Sequence, residues 1–259
     1  MSSIYPQISC DNQIIGGATH EIHIFLGPFN PVERKITHYK NAVEEWNTVK
    51  HPEELTLLKS SQMKACQLSL EFLDNYADGS GPVGFKNVIV MQSARYVYEN
   101  DMQRVIEAAR RDAAWFDLMG FEVIRLKIEA SAYGNKGIPQ TDEEAKELPD
   151  CYFEFHVKVL GEGATVDDLR SLAEQFSKEY KVPVPFSHNL NPNQFLADQQ
   201  GHQLYFNMRF RLAGLQTAKL AIKHLEETID AQENIKLHKV ISEYVWYDTN
   251  VSFDKGWLE

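Results

Sequence analysis

The chain has 259 residues, 43% of them hydrophobic, with 37 acidic against 26 basic side chains and a formal net charge of −11. That is enough apolar material for one large domain or two small ones, and a surface of that sign repels duplex nucleic acid. Cys10, Cys66 and Cys151 stand apart with no CxxC pair, which argues against a disulfide framework or zinc knuckle and for a reducing cytoplasm. The opening MSSIYPQISCDNQ has no basic n-region and no long apolar run, so no signal peptide is expected. No run approaches the ~20 apolar residues of a membrane span, so a cytoplasmic protein without membrane contact is expected.

HEIHIFL at 20–26 alternates in polarity and predicts a strand, closed by the turn signal Gly27-Pro28. Helical spacing follows at 31–48 and at 53–77, where Leu55, Leu58, Met63, Cys66, Leu70 and Leu73 recur three or four apart. DGSGPVG at 78–84 reads as a loop and KNVIVMQSARYVYE at 86–99 as a strand. Asp101 is placed to cap a helix reaching about 119, with Gly120 as its stop, and FEVIRLKIEA at 121–130 is the next strand. Gly134, Gly137, Pro139, Pro149 and an acidic run mark a linker within 131–150. The plan then repeats. Strand 152–159 (YFEFHVKV) and helix 166–180 lead through the Pro-broken VPVPFSHNLNPNQF to strand 203–212, helix 215–232 and strand 236–248. Each half reads as β-α-β-α-β with room for a short strand. The expectation is therefore an α+β protein of two ferredoxin-like lobes, 1–133 and 151–259, joined by 134–150, with antiparallel sheets forming a shared cleft. The twin sequences Glu21-x-His23 and Glu154-x-His156 support a duplication.

Successive strand side chains point to opposite faces. Phe153, Phe155, Val157 and Val159 thus share one face, and Glu154, His156 and Lys158 the other. By the same rule Asn207, Arg209 and Arg211 oppose Phe206, Met208 and Phe210, and Arg125, Lys127 and Glu129 oppose Ile124, Leu126 and Ile128. Like charges on neighbouring strands repel, so these cations call for an anionic ligand, or for helices whose Asp and Glu cover the sheet. A phosphate fits the first reading. His156 and His23 then serve as acid and base at a phosphoester, or as hydrogen-bonded structural histidines. Arg125, Lys127, Lys158, Arg209 and Arg211 stabilise phosphoryl oxygens, with Glu154 and Asn207 beside them. His188 falls in a loop whose asparagines read a base or sugar, or merely make turns. The sequence holds no HExxH, Asp-x-Asp cluster, GxxxxGK[ST], GxGxxG or GxSxG, so neither metal nor cofactor is expected. The Glu-x-His-x-Lys alternation is also a loose match to a triphosphate-tunnel barrel, but the Glu-x-Glu strands of that class are missing.

FEVIRLKIEA, the Gly-Pro linker, YFEFHVKV, SHN, YFNMRFRL and the closing YVWYDTNVSFDKGWL together resemble the Swiss Army Knife branch of the two-histidine (2H) phosphoesterases, mainly over 120–259. The resemblance implies two ferredoxin-like lobes and metal-independent hydrolysis of a nucleotide or RNA-end phosphodiester. It also leaves room for a non-catalytic relative that binds a phosphorylated nucleotide. The family's His-x-Ser/Thr motif is matched only at His156, with Lys158 standing where the hydroxyl residue would be. His23 is followed by Ile24-Phe25, and the strand for a second motif reads Asn207-Met208-Arg209.

Overall fold

In a computed structural model of the chain, the described residues are 19–29, 33–49, 59–70, 88–134, 136–161, 166–180, 186–188 and 203–251. They form strands β1 (Thr19–Phe29), β2 (Lys59–Ser60), β3 (Lys64–Leu70), β4 (Val88–Tyr98), β5 (Val123–Ser131), β6 (Tyr152–Gly161), β7 (Phe186–His188), β8 (Gln203–Arg211) and β9 (Ile235–Asp248). The helices are α1 (Glu33–Thr48), α2 (Met102–Leu118), α3 (Asp142–Lys146), α4 (Val166–Tyr180) and α5 (Leu215–Asp230). The protein is α+β, and each half has the ferredoxin-like order of elements. The chain divides into two compact units, with a boundary between Ile138 and Pro139, inside the expected linker. Among the described residues, Val245–Val251 group with the first unit, and Leu68–Leu70 and Val88 with the second.

In the first lobe β1 lies between β4 and β5, antiparallel to both. One sheet face carries Ile22, Ile24, Leu26, Val97, Leu126 and Ile128, all buried. Against it pack Tyr39, Val43 and Trp46 of α1 and Val105, Ala109 and Phe116 of α2. Tyr39, Phe116 and Phe121 meet ring to ring at centroid distances of 6.1–6.2 Å. The expected cap holds: Asp101 accepts the Gln103 N–H at 2.9 Å, and Gly120 takes φ 81°, a left-handed stop that favours glycine. Within the same apolar layer Arg95 of β4 forms a two-pronged ion pair with Asp112 of α2, at 2.6 and 3.1 Å.

In the second lobe β6 and β8 pair antiparallel with Phe153 opposite Phe210, Phe155 opposite Met208 and Val157 opposite Phe206. Leu172, Ala173 and Phe176 of α4 and Ala218, Ile222, Leu225 and Ile229 of α5 complete this core. The linker holds more structure than its composition suggests. Thr141 and Glu144 make a reciprocal capping box on α3. Asp142 accepts the Gly214 N–H at 2.7 Å, and Leu215 N–H donates to the Pro139 carbonyl at 3.0 Å.

Two expectations are corrected. The helix expected at 53–77 is, over its described part, the strands β2 and β3. KACQLSL also alternates, and pairing with β4 overrides the three- and four-residue spacing. His188 sits at the end of a strand rather than in a loop, because β7 pairs with β8 and sets His188 opposite Leu204. The asparagines that follow it lie outside the described residues. Among the described residues no helix is long and apolar enough to cross a membrane.

Candidate functional site

The cations singled out on the polar faces find their counter-charge within the chain. In the first lobe Arg125 Nε and Nη2 contact the two carboxylate oxygens of Asp248 at 2.9 and 2.5 Å, and its guanidinium lies 5.2 Å from the Phe25 ring centroid. Lys127 Nζ is 2.6 Å from Glu129 Oε2. In the second lobe Arg209 Nη2 is 2.6 Å from Glu154 Oε1, the residue directly opposite across the ladder. Arg125, Lys127, Arg209, Glu129 and Glu154 are all buried. The inference that this cation pattern demands an anionic ligand is therefore corrected: carboxylates from the same strands and from β9 neutralise these three. The reason is electrostatic, since a buried cation without a partner is far costlier than one paired inside the sheet.

Lys158 and Arg211 differ. Lys158 is half-buried beside Tyr205, its ammonium 5.6 Å from the ring centroid, and Arg211 is exposed at the end of β8. His156, two residues before Lys158 on the same face, keeps 25% of its side chain exposed. Its Nδ1 is 2.6 Å from Asn207 Oδ1 across the ladder, and its Nε2 is 3.2 Å from Glu243 Oε2 on β9 and 3.7 Å from Glu154 Oε1. Both ring nitrogens face side-chain oxygens, Nδ1 across the β6–β8 ladder and Nε2 toward β9. Among the described residues the second lobe thus offers a part-open stretch of polar face: a histidine held by an amide and a carboxylate, with a lysine beside it.

The first lobe repeats the histidine's surroundings. A side-chain amide, Gln92 on β4, meets His23 Nδ1, and a carboxylate, Glu129 on β5, lies 2.6 Å from its Nε2. Glu21 Oε2 is 3.9 Å from the same nitrogen. This copy is closed, for His23 is only 8% exposed. Burial alone would lower the ring's pKa, but the Glu129 carboxylate outweighs it, with Glu21 assisting and Lys127 opposing, so the pKa stands above the ordinary histidine value. Glu21, His23 and Glu129 offer ligand atoms within 4.8 Å of one another and could hold a metal ion. His20 points to the other face. It is buried with neither ring nitrogen hydrogen-bonded, and burial lowers its pKa to about 4 against the pull of Glu99.

The sequence reading missed Gln92, Glu243 and Asp248. Gln92 and Glu243 were legible as members of alternating strands, but their partnership with the histidines depends on register. The cluster of Glu21, His23 and Glu129 was missed because its ligands come from two strands rather than one helix motif.

No protein-family model matches the sequence, and no curated protein does. Among solved structures, an arginine-to-lysine mutant of chlorite dismutase from Candidatus Nitrospira defluvii is similar over 93% of this chain and 96% of that one, at 9% identity and a TM-score of 0.25. So low a score leaves fold and function to be argued from the chain itself.

Proposed function

We propose that the protein is a 2H-phosphoesterase-like hydrolase that cleaves a nucleotide or RNA-end phosphodiester in the cytoplasm, using His156 and no metal in the chemical step. The observation that carries this reading is the pairing of His156 and Lys158 on one strand face, both part-exposed, where Arg125, Lys127 and Arg209 are buried and paired. Lys158 holds a phosphoryl oxygen as a point charge. His156, steadied by Asn207 and Glu243, gives its Nε2 proton to the leaving oxygen as that P–O bond breaks. Water forms the new P–O bond, and its proton restores the ring. Glu243 and Asn207 hold the ring in place from its two nitrogens.

A second reading, a binder of the same phosphorylated nucleotide without turnover, is favoured by two observations. Both nitrogens of His156 already have partners, and a lysine stands where a hydroxyl would be expected.

The test combines thermal melting with product analysis on nucleoside 2′,3′-cyclic phosphates, with and without chelator. Hydrolysis predicts turnover that survives chelator, is lost in His156→Ala by ~10²–10⁴, and is weakened in substrate affinity by Lys158→Ala. A melting shift abolished by Lys158→Ala, with no turnover in the wild type, selects the binder. Neither a shift nor turnover with any such nucleotide at millimolar concentration refutes both.

A further inference from the structure

We infer that the first lobe binds a divalent first-row metal ion between Glu21, His23 and Glu129, a site separate from the step proposed at His156. The two lobes carry the same Glu-x-His element in different settings. In the second lobe Arg209 stands directly opposite Glu154 and holds its Oε1 at 2.6 Å, filling the place a cation would take. At the matching position of the first lobe the residue opposite Glu21 on β4 is Tyr96, which brings no charge. On the other side β5 sets Glu129 directly opposite Glu21, with Lys127 opposite His23. Two carboxylates facing each other across a ladder repel; Lys127 meets Glu129 at Oε2, and a cation between Glu129 Oε1 and Glu21 would relieve the rest.

The atoms themselves point to an ion. His23 is 8% exposed, and its Nε2 makes no hydrogen bond of acceptable geometry although Glu129 Oε1 is 2.6 Å away and Glu21 Oε2 3.9 Å away. A buried nitrogen 2.6 Å from one carboxylate oxygen and 3.9 Å from a second is placed as a ligand is, between two further oxygen ligands. The surroundings supply the second layer that metal ligands require. Lys127 holds Glu129 by Oε2, leaving Oε1 toward the histidine. Gln92 meets Nδ1, and a half-turn of its amide presents the oxygen to an Nδ1 proton, the tautomer that frees Nε2 for metal. One imidazole and two carboxylates suit Zn²⁺, Mn²⁺ or Fe²⁺; Ca²⁺ demands six to eight oxygens and Cu⁺ prefers sulfur. The ion displaces any proton held at Nε2, so binding releases protons to solvent as it proceeds.

The experiment uses the full chain, stripped with chelator and titrated with Zn²⁺ by calorimetry and with Mn²⁺ by electron paramagnetic resonance. One ion per chain is expected, with a rise in melting temperature by mass action. Glu21→Gln and His23→Gln should each weaken binding at least tenfold, and Gln92→Leu by about tenfold, as loss of an outer partner does. Glu21 lies at the margin of the cluster, so its variant folds even where the buried His23→Gln does not. His156→Gln should bind the ion as the wild type does. Failure of both ions to bind one to one overturns the inference, as does binding that Glu21→Gln leaves unchanged. Neither result bears on the nucleotide tests at His156 and Lys158.

Discussion

Replacing Asp112 with alanine should be among the most damaging single changes to the first lobe. Arg95 and Asp112 have side chains only 2% and 1% exposed, and their two contacts of 2.6 and 3.1 Å are the bidentate geometry of a guanidinium on a carboxylate. The Arg95 guanidinium also lies 4.9 Å from the Trp46 ring, which fixes its place but supplies no counter-charge. Removing the carboxylate leaves a cation beneath the helices with no route to water, a loss of about 3–5 kcal/mol. Against a total stability of about 5–15 kcal/mol for a domain, that is a large fraction. With a urea slope of about 2 kcal/mol/M, the midpoint falls by roughly 2 M. Asp112→Asn keeps an acceptor but not the charge, and should lie between. The double variant Arg95→Met with Asp112→Leu removes both charges at similar volume and should recover to within about 1 kcal/mol of the wild type. The assay is urea unfolding followed by circular dichroism and tryptophan fluorescence. A loss below about 1 kcal/mol for Asp112→Ala, or a double variant no better than the single one, would refute the argument that a dry ion pair sets the penalty.

Three further outcomes follow from the packing and hydrogen bonds described above. Gly214→Ala would bring a Cβ to 2.3 Å from the Thr141 carbonyl carbon and 2.6 Å from the Gln140 oxygen. Both are backbone, so the loss should reach or exceed about 1–3 kcal/mol; an unchanged urea midpoint would disprove the clash. Asp142 has its pKa lowered by the Gly214 N–H and by Thr217, so its stabilising effect is present above the ordinary aspartate range and fades as pH falls through its folded value. Asp142→Asn should therefore be less stable than the wild type at pH 7 and approach it as pH falls below the ordinary aspartate range, and a constant gap across pH would count against this. Asp101→Ala removes the cap of α2 and should lower stability by about 1 kcal/mol, checked by the same unfolding curves.

Alternation made β1, β5, β6, β8 and β9 legible because each has one apolar and one polar face, and α4 is found over 166–180 as its periodicity predicts. The region around 53–77 was not, since Leu58, Met63, Cys66 and Leu70 fit a helical spacing as readily as KACQLSL fits a strand. Only pairing with β4, distant in sequence, decides between them. The site shows the same divide. That Arg125, Lys127, His156 and Arg209 share polar faces could be read from parity alone. That they are already neutralised could not, because Arg125 finds Asp248 at a separation of 123 residues. Glu154 and Arg209 meet only once β6 and β8 are in register. Counting the carboxylates on the same strands, Glu129 beside Lys127 above all, would have tempered the expectation of a ligand.

The return of the chain to its first lobe after Tyr244 has a consequence for synthesis. Asp248 takes up the Arg125 guanidinium, Thr249 Oγ1 accepts the Leu126 N–H at 2.9 Å, and Asn250 donates to the Ile124 carbonyl at 2.9 Å. All three are made well after their partners on β5, which lie 123 to 126 residues earlier in the chain. From residue 138 to residue 248 is 110 residues, on the order of 5–20 s of translation. For that interval the nascent lobe holds an arginine whose anionic partner has not yet been made. β5 waits with an unfinished edge, the exposure that recruits chaperones and invites mispairing between chains on one message.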